Sequence, residues 1–180
     1  MLYIFGGLPG TGKSTLASAL AHERKAVYLR VDTIEQAIKN ITGQPVGPEG
    51  YEVAYALATE NLRLDAEVVV DSVNALDITR KGWQQAARQA NSPFLEIEII
   101  CTDIAEHKHR IETRQTSIEG LQLPTWEQVQ KREYHPWNTD RILIDTAGES
   151  ADNSLLKLNK AIERRFIERF TDIKAIAPTP

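Results

Sequence analysis

Short apolar runs alternate with longer stretches of helical period along the chain. Leu2–Phe5, Ala26–Val31, Glu67–Asp71, Phe94–Cys101 and Arg141–Ile144 are brief and mostly apolar, as strands covered on both faces should be. Between them, 13–23, 33–41, 51–65, 78–90, 103–115, 125–133 and 151–170 read as helices. In the last of these, Leu155, Leu158, Ala161, Ile162, Phe166, Ile167 and Phe170 recur at helical spacing, a stripe suited to closing against a sheet. Strands alternating with helices predict an α/β fold, a parallel five-stranded sheet built from strand-helix-strand units. The prolines of the ending IAPTP predict a frayed tail over 173–180, leaving 1–172 as a single domain.

Composition narrows the class. At 180 residues a fold removes roughly 70% of the unfolded chain's surface from water, enough for a core without disulfides or metal. Cys101 is the only cysteine, which excludes a disulfide framework or zinc ribbon and reads as a small buried hydrophobe in a reducing, cytoplasmic setting. The net charge of −4 argues against a basic surface that wraps duplex nucleic acid, although a local basic cleft remains open. The start MLYIF lacks a basic n-region and no segment approaches ~18 uninterrupted apolar residues, so neither secretion nor a membrane span is expected.

The chemistry begins directly after the first strand. Gly7–Thr15, GLPGTGKST, matches G-x-x-x-x-G-K-[ST] and opens a helix, the context a phosphate-binding loop requires. Gly7, Gly10 and Gly12 let backbone N–H groups approach a polyphosphate closely. Leu8, Pro9 and Thr11 complete the loop, and the helix N-terminus adds partial positive charge. Lys13 reaches the β and γ phosphates, Ser14 offers a hydroxyl to Mg²⁺, and Thr15 reaches the α-phosphate.

A cradle alone leaves several nucleotide machines open. The string DTAG, Asp145–Gly148, resembles a GTPase switch, but it follows the fifth strand, and the NK at Asn159-Lys160 has no aspartate to read guanine. Asp32 closes the second strand, where open α/β sheets place ligands. It reads either as the base that takes a proton from an attacking hydroxyl or as a cap paired with Glu35. Asp71, after three valines, stands in a Walker-B-like position to orient Mg²⁺. Ser72 and Asn74 follow as substrate hydrogen-bonders or plain turn residues. Arg80 and Trp83 frame an acceptor pocket or pack. Arg110 and Arg114, four apart, share a helix face and precede the Thr116–Pro124 segment, as lid arginines over a transferring phosphoryl group would; a solvated helix face is the other reading. His107 and His109 fall on different faces and do not make a metal site. The Gly- and Pro-bearing segments 43–50 and 116–124 are long enough to move.

These features, with the late W-x-x-V-x-x-R-x-Y-x-P-W from Trp126 to Trp137, resemble over residues 1–150 the small P-loop kinases of the polynucleotide kinase, zeta-toxin and chloramphenicol phosphotransferase group. The resemblance implies a three-layer α/β/α sandwich of the nucleoside-monophosphate-kinase type, with parallel strand order 2-3-1-4-5. It further implies ATP and Mg²⁺ as cofactors and transfer to a hydroxyl with Asp32 as base. Lid arginines would fall at Arg110 and Arg114 within a lid of about 110–137, and an adenine-facing loop at Thr146, Ala147 and Gly148.

Relatives acting on phosphorylated substrates commonly carry D-x-x-R after the second strand, whereas Asp32-Thr33-Ile34-Glu35 puts an acid there. A neutral or cationic small-molecule acceptor is therefore expected, with Arg30, Arg80 and Lys81 as residues able to restore positive charge. Two other readings are a polynucleotide or nucleotide 5′-hydroxyl kinase, and a non-catalytic ATP-binding switch or toxin-like module that holds a protein partner.

Overall fold

The computed structural model describes the backbone of residues 1–176 and side chains through residue 168. Five strands, β1 (Leu2–Gly6), β2 (Val27–Arg30), β3 (Val68–Asp71), β4 (Phe94–Ile100) and β5 (Ile142–Asp145), form one sheet in the order β2-β3-β1-β4-β5. Every pairing is parallel, with Leu2 opposite both Val68 and Phe94, Val27 opposite Val68, and Ile97 opposite Ile142. This is the expected fold and strand order.

Alternation along β1 divides the core. Tyr3 and Phe5 join Val69, Ile97 and Ile99 on the face covered by α1 (Lys13–Arg24) and α7 (Ala151–Ile176), which contribute Leu16, Leu20, Leu158 and Ile162. Leu2 and Ile4 join Val68 and Val70 on the other face, under α3 (Glu49–Arg63) and α4 (Asp77–Gln89), whose Ala54, Ala58, Leu62 and Trp83 fill the space. Strands sandwiched this way need apolar residues at successive positions, which is why their sequences are runs. The remaining helices are α2 (Val31–Thr42), α5 (Ile104–Thr113) and α6 (Trp126–Gln130).

Several boundaries differ from the sequence expectation, each for a physical reason. The second strand stops at Arg30 and α2 begins at Val31, so Asp32 lies in a first helical turn. Arg30 is the N-cap and makes no side-chain cap bond, so the Asp32–Glu35 capping box does not form. Helix α7 continues to Ile176, past the point where fraying was expected; residues 177–180 lie outside the described residues. Within its stripe Ile167 is 66% exposed, whereas the adjacent Phe166 packs against the core. Phe170 lies outside the described side chains.

The segment expected to act as a lid divides in two. Residues 114–125 carry no helix or strand, whereas 134–141 is bolted to the sheet. Tyr134 donates to Glu98 at 3.0 Å, Trp137 Nε1 donates to the Tyr134 hydroxyl at 2.9 Å, and Arg141 pairs with Glu98. Gly6 makes room for this seat, since a Cβ there would stand 2.4 Å from the Trp137 ring. The late tryptophan-rich motif is thus largely packing. Cys101 is buried just after β4, and burial pushes its thiol pKa up. Among the described residues no helix is long and apolar enough to cross a membrane.

Candidate active site

Five carboxyl ends of parallel strands meet at one edge of the sheet, and the loops leaving them build the site. After β1 the chain turns through Gly7, at φ 144°, and Gly10, at φ 85°. A Cβ on Gly7 would lie 2.2 Å from the Ile99 carbonyl oxygen. The loop can occupy this space only because those positions are glycine. Thr11 Oγ1 closes the turn onto the Leu8 carbonyl at 2.9 Å. Gly12 caps α1 without a side-chain bond, and no acid stands in the first turn. The free N–H groups and the helix field at Lys13, Ser14 and Thr15 are therefore unopposed by any fixed anion on their own helix, as an anion site requires.

Behind the cradle lies a buried charge pair. Lys13 Nζ pairs with Asp71 at the end of β3, their side chains 8% and 1% exposed. Tyr28 donates to the other Asp71 oxygen at 2.7 Å, and Arg30 Nε stands 3.7 Å from it. Burial pushes the Asp71 pKa up, but the Lys13 charge and hydrogen bonds from Lys13, Tyr28 and Ser14 outweigh it, and the carboxyl is held below its ordinary range. Burial and the adjacent Asp71 charge push the Tyr28 phenol up, so it stays a donor. Sequence reading missed Tyr28 and Arg30 as partners of Asp71. Their spacing of two in β2, opposite β3, was the available signal.

Asp71 and Ser14 fit Mg²⁺ chemically. The carboxylate is ionised, the Ser14 hydroxyl lies 3.5 Å from Lys13 Nζ beside it, and both are the hard oxygen donors this ion prefers. No cluster of three or more His, Cys, Asp or Glu able to hold a metal occurs among the described residues. Mg²⁺ needs no such cage, since phosphate oxygens and waters complete its shell.

The loop after β5 reaches the cradle. The Thr146 hydroxyl donates to the Thr11 carbonyl at 2.8 Å and lies 3.1 Å from that of Ile100. Arg110 clasps Thr146, with 2.8 Å to its hydroxyl and 3.0 Å to its carbonyl, and pairs with Glu106 at 2.5 Å. Glu106 in turn accepts from the Gly148 N–H at 2.8 Å, and Asp145 accepts from that of Ala147 at 3.0 Å.

The two arginines expected to share a helix face do not. Helix α5 ends at Thr113 and Arg114 is extended, at φ −67° and ψ 149°, so the four-residue rule lapses between them. Arg110 is held on the cradle side through Thr146 and Glu106. Arg114 is half-buried near Asp32 and Arg30; burial lowers its pKa, the Asp32 charge opposes this and Arg30 adds to it. Its Nε is buried without a hydrogen-bond partner.

Asp32 is 40% exposed and 3.9 Å from Arg30. On the next turn of α2, Glu35 lies against Gly50, where a Cβ would stand 2.3 Å from the Glu35 Cγ. Burial first, then the Asp32 charge, raise the Glu35 pKa to about 7, with Arg132 opposing. The Tyr51 phenol rises through burial, tempered by Ser72 and the Asn74 backbone, and it also feels Glu35 and Asp32. Ser72 Oγ is enclosed and makes no hydrogen bond of normal geometry.

Two expected substrate contacts are committed elsewhere. Asn74 is fully buried, donating to the Phe5 carbonyl at 2.6 Å and accepting from Trp83 Nε1 at 2.9 Å. Arg80 is buried, donating to the carbonyls of His135 at 3.0 Å and Pro136 at 3.2 Å and stacking on Trp137. Both hold the scaffold, whereas Asp32, Glu35, Tyr51, Ser72, Arg114 and Arg132 are linked to one another around the start of α2 by the charge and hydrogen-bond influences described above. A cavity of about 970 Å³ lined by residues of α3 and α4, Tyr55, Thr59, Ile78 and Gln85 among them, includes neither Lys13 nor Asp32.

Residues 2–136 match the model of a family described as an AAA domain. The chain belongs to that family. This AAA domain shares its fold with solved kinases at low identity. A Chloroflexus aurantiacus protein whose kinase description is provisional has a TM-score of 0.71 at 20% identity, over 88% of this chain and 96% of its own. A Mycobacterium tuberculosis APS kinase, solved with AMPPNP and APS, has 0.63 at 17%, over 90% and 96%. A gluconokinase from Sinorhizobium meliloti has 0.60 at 16%, over 92% and 95%. No curated protein sequence matches the chain. The fold of this AAA domain is that of the small P-loop kinases.

Proposed function

We propose that the protein is an ATP-dependent kinase that acts in the cytoplasm, transferring the γ-phosphate of ATP to a hydroxyl of a neutral or cationic small molecule. One observation carries the reading: a glycine-built cradle and the buried Lys13–Asp71 pair open at the same sheet edge as Asp32, with Arg30 between the two acids. That edge offers donors for a polyphosphate on one side and an exposed carboxylate on the other. Asp32 accepts the proton of the attacking hydroxyl, while Lys13, Arg110 and Arg114 oppose charge on the transferring group. Mg²⁺, held through Ser14 and Asp71, neutralises phosphate charge when bound. The nucleotide base rests on Thr146, Ala147 and Gly148.

Glu35 supports the acceptor class. This half-buried carboxyl has no hydrogen bond or ion pair among the described side chains and sits one turn from Asp32. A phosphate placed there would meet the Asp32 charge and whatever charge Glu35 keeps, against the arginines nearby, whereas a hydroxyl or amine would find acceptors in both carboxyls. This weighs against an acceptor that brings a phosphate group next to its reacting hydroxyl.

The test is Mg²⁺-dependent ADP formation by wild type and Asp32→Asn against nucleosides, 5′-hydroxyl oligonucleotides, sugars, amino alcohols and aminoglycosides. Stimulation by a sugar or amino alcohol, lost in the variant, supports the reading. Equal transfer by both proteins overturns the role of Asp32, and stimulation confined to oligonucleotides with a steep fall in salt replaces the acceptor.

A further inference from the structure

Pro9 is the cradle residue with no N–H to offer a phosphate, and its carbonyl faces outward onto α5. His107 Nε2 stands 2.8 Å from that oxygen; a carbonyl only accepts, so Nε2 carries the hydrogen. The imidazole is 7% exposed, and its ring meets Trp126 edge on, with centroids 5.2 Å apart at 79°. Gly10 touches the same helix: a Cβ there would stand 2.6 Å from Ile111 Cδ1 and 3.2 Å from His107 Cδ2. Loop, α5 and α6 are therefore in continuous contact through one side chain.

Peptide planarity gives this contact its meaning. The Pro9 C=O and the Gly10 N–H belong to one plane and, with no cis bond in the chain's described residues, point in opposite directions. Fixing the carbonyl on α5 turns the Gly10 N–H away from that helix. Among the described residues that N–H makes no backbone hydrogen bond.

We propose that His107 is a positioning residue of the cradle: it aims the Gly10 N–H at a bound phosphate, and through Trp126 it ties that aim to α6. The inference rests on the nucleotide-binding part of the reading above and is independent of the acceptor. It gives the tryptophan that opens α6 a role besides packing, since movement of α6 would relax the imidazole and with it one phosphate contact.

The experiment is calorimetric titration of the full chain with Mg·ATP, comparing wild type with His107→Gln, which keeps an N–H, and His107→Phe, which keeps the ring against Trp126 without a donor. Binding about tenfold weaker in the Phe variant, and within about threefold of wild type in the Gln variant, is expected for one misaimed bond to a charged group. Trp126→Leu should weaken binding about threefold in the wild-type background and add nothing to His107→Phe, a non-additive cycle.

Wild-type affinity in His107→Phe, or additive effects of the two substitutions, overturns the proposal. Should the Phe variant not fold, imidazole ¹⁵N spectra of wild type decide. Hydrogen on Nε2, with a Gly10 amide resonance that moves on adding Mg·ATP, supports the proposal, and hydrogen on Nδ1 overturns it. No binding of Mg·ATP by wild type overturns the nucleotide reading itself.

Discussion

The two sides of the cleft are built to different standards. On the nucleotide side, the polar side chains of Thr11, Lys13, Asp71, Arg110 and Thr146 each have a protein partner within ordinary bonding reach. On the side proposed for the acceptor, Glu35 and Arg114 Nε have no hydrogen-bond partner among the described residues, Ser72 Oγ has none of normal geometry there, and Asp32 stands 3.9 Å from Arg30. A site for a fixed polyphosphate can be assembled in advance, with each donor held by a second residue, because every such ligand presents the same oxygens. A site for a variable acceptor leaves polar groups waiting, at a cost in stability that binding then recovers.

The largest effects should separate the two sides chemically. Lys13→Met is expected to lower phosphate transfer about 10³-fold and to weaken Mg·ATP binding as well. Asp32→Asn is expected to cost 10²–10⁴-fold in transfer while nucleotide affinity stays within about twofold. Parallel measurement of ADP formation and of calorimetric affinity shows whether the division is real; an equal loss of nucleotide affinity in both variants would erase it.

Next comes the scaffold both sides share. Trp83 is fully buried, stacks edge on against Tyr55 at 4.5 Å and donates to Asn74. Trp83→Ala should cost about 3–5 kcal/mol in urea unfolding, and because Asn74 also holds the Phe5 carbonyl, the loss should weaken the cradle and the acceptor face alike.

A smaller effect tests the waiting carboxyl. Glu35 titrates near 7 in the fold, against 4.5 for its ordinary value, raised first by burial and then by Asp32. Between those values the folded protein holds a proton that the unfolded chain releases, so stability falls as pH rises from about 4.5 to about 7. Allowing for partial exposure, the fall is about 1–2 kcal/mol, and Glu35→Gln should flatten that stretch of the unfolding profile. An unchanged slope would mean the carboxyl is already partnered, and the contrast between the two sides would weaken.

The smallest effect lies at α6, which begins with a capping box: Thr125 N–H donates to Gln128 Oε1 at 2.9 Å and Gln128 N–H to Thr125 Oγ1 at 3.3 Å. Thr125→Ala should cost about 1 kcal/mol or less, seen as faster amide exchange over 126–130 and not in the sheet.

How much could be read in advance differs between the same two regions. The cradle spacing, the acid after VVV and the five strands were legible because each is a local pattern: a loop that must admit backbone N–H groups, and runs that must be apolar on both faces. Asn74 and Arg80 kept two readings because a polar residue after a strand looks the same whether it faces a ligand or braces a neighbour; the approach of Phe5, Trp83 and the 135–137 segment shows the bracing. Arg110 and Arg114 were paired by helical spacing, and the pairing lapsed when α5 stopped at Thr113.

Periodicity and glycine placement, which act over a few residues and tolerate few alternatives, were enough to specify the sheet, its layered core and the glycine-rich loop after β1. Only the tertiary packing placed Tyr28 and Arg30 against Asp71, set His107 on the Pro9 carbonyl, and left Glu35 without a hydrogen-bond partner among the described residues beside Asp32. Those contacts span up to 98 residues of chain, and their distances depend on how helices settle on the sheet, which no local pattern records.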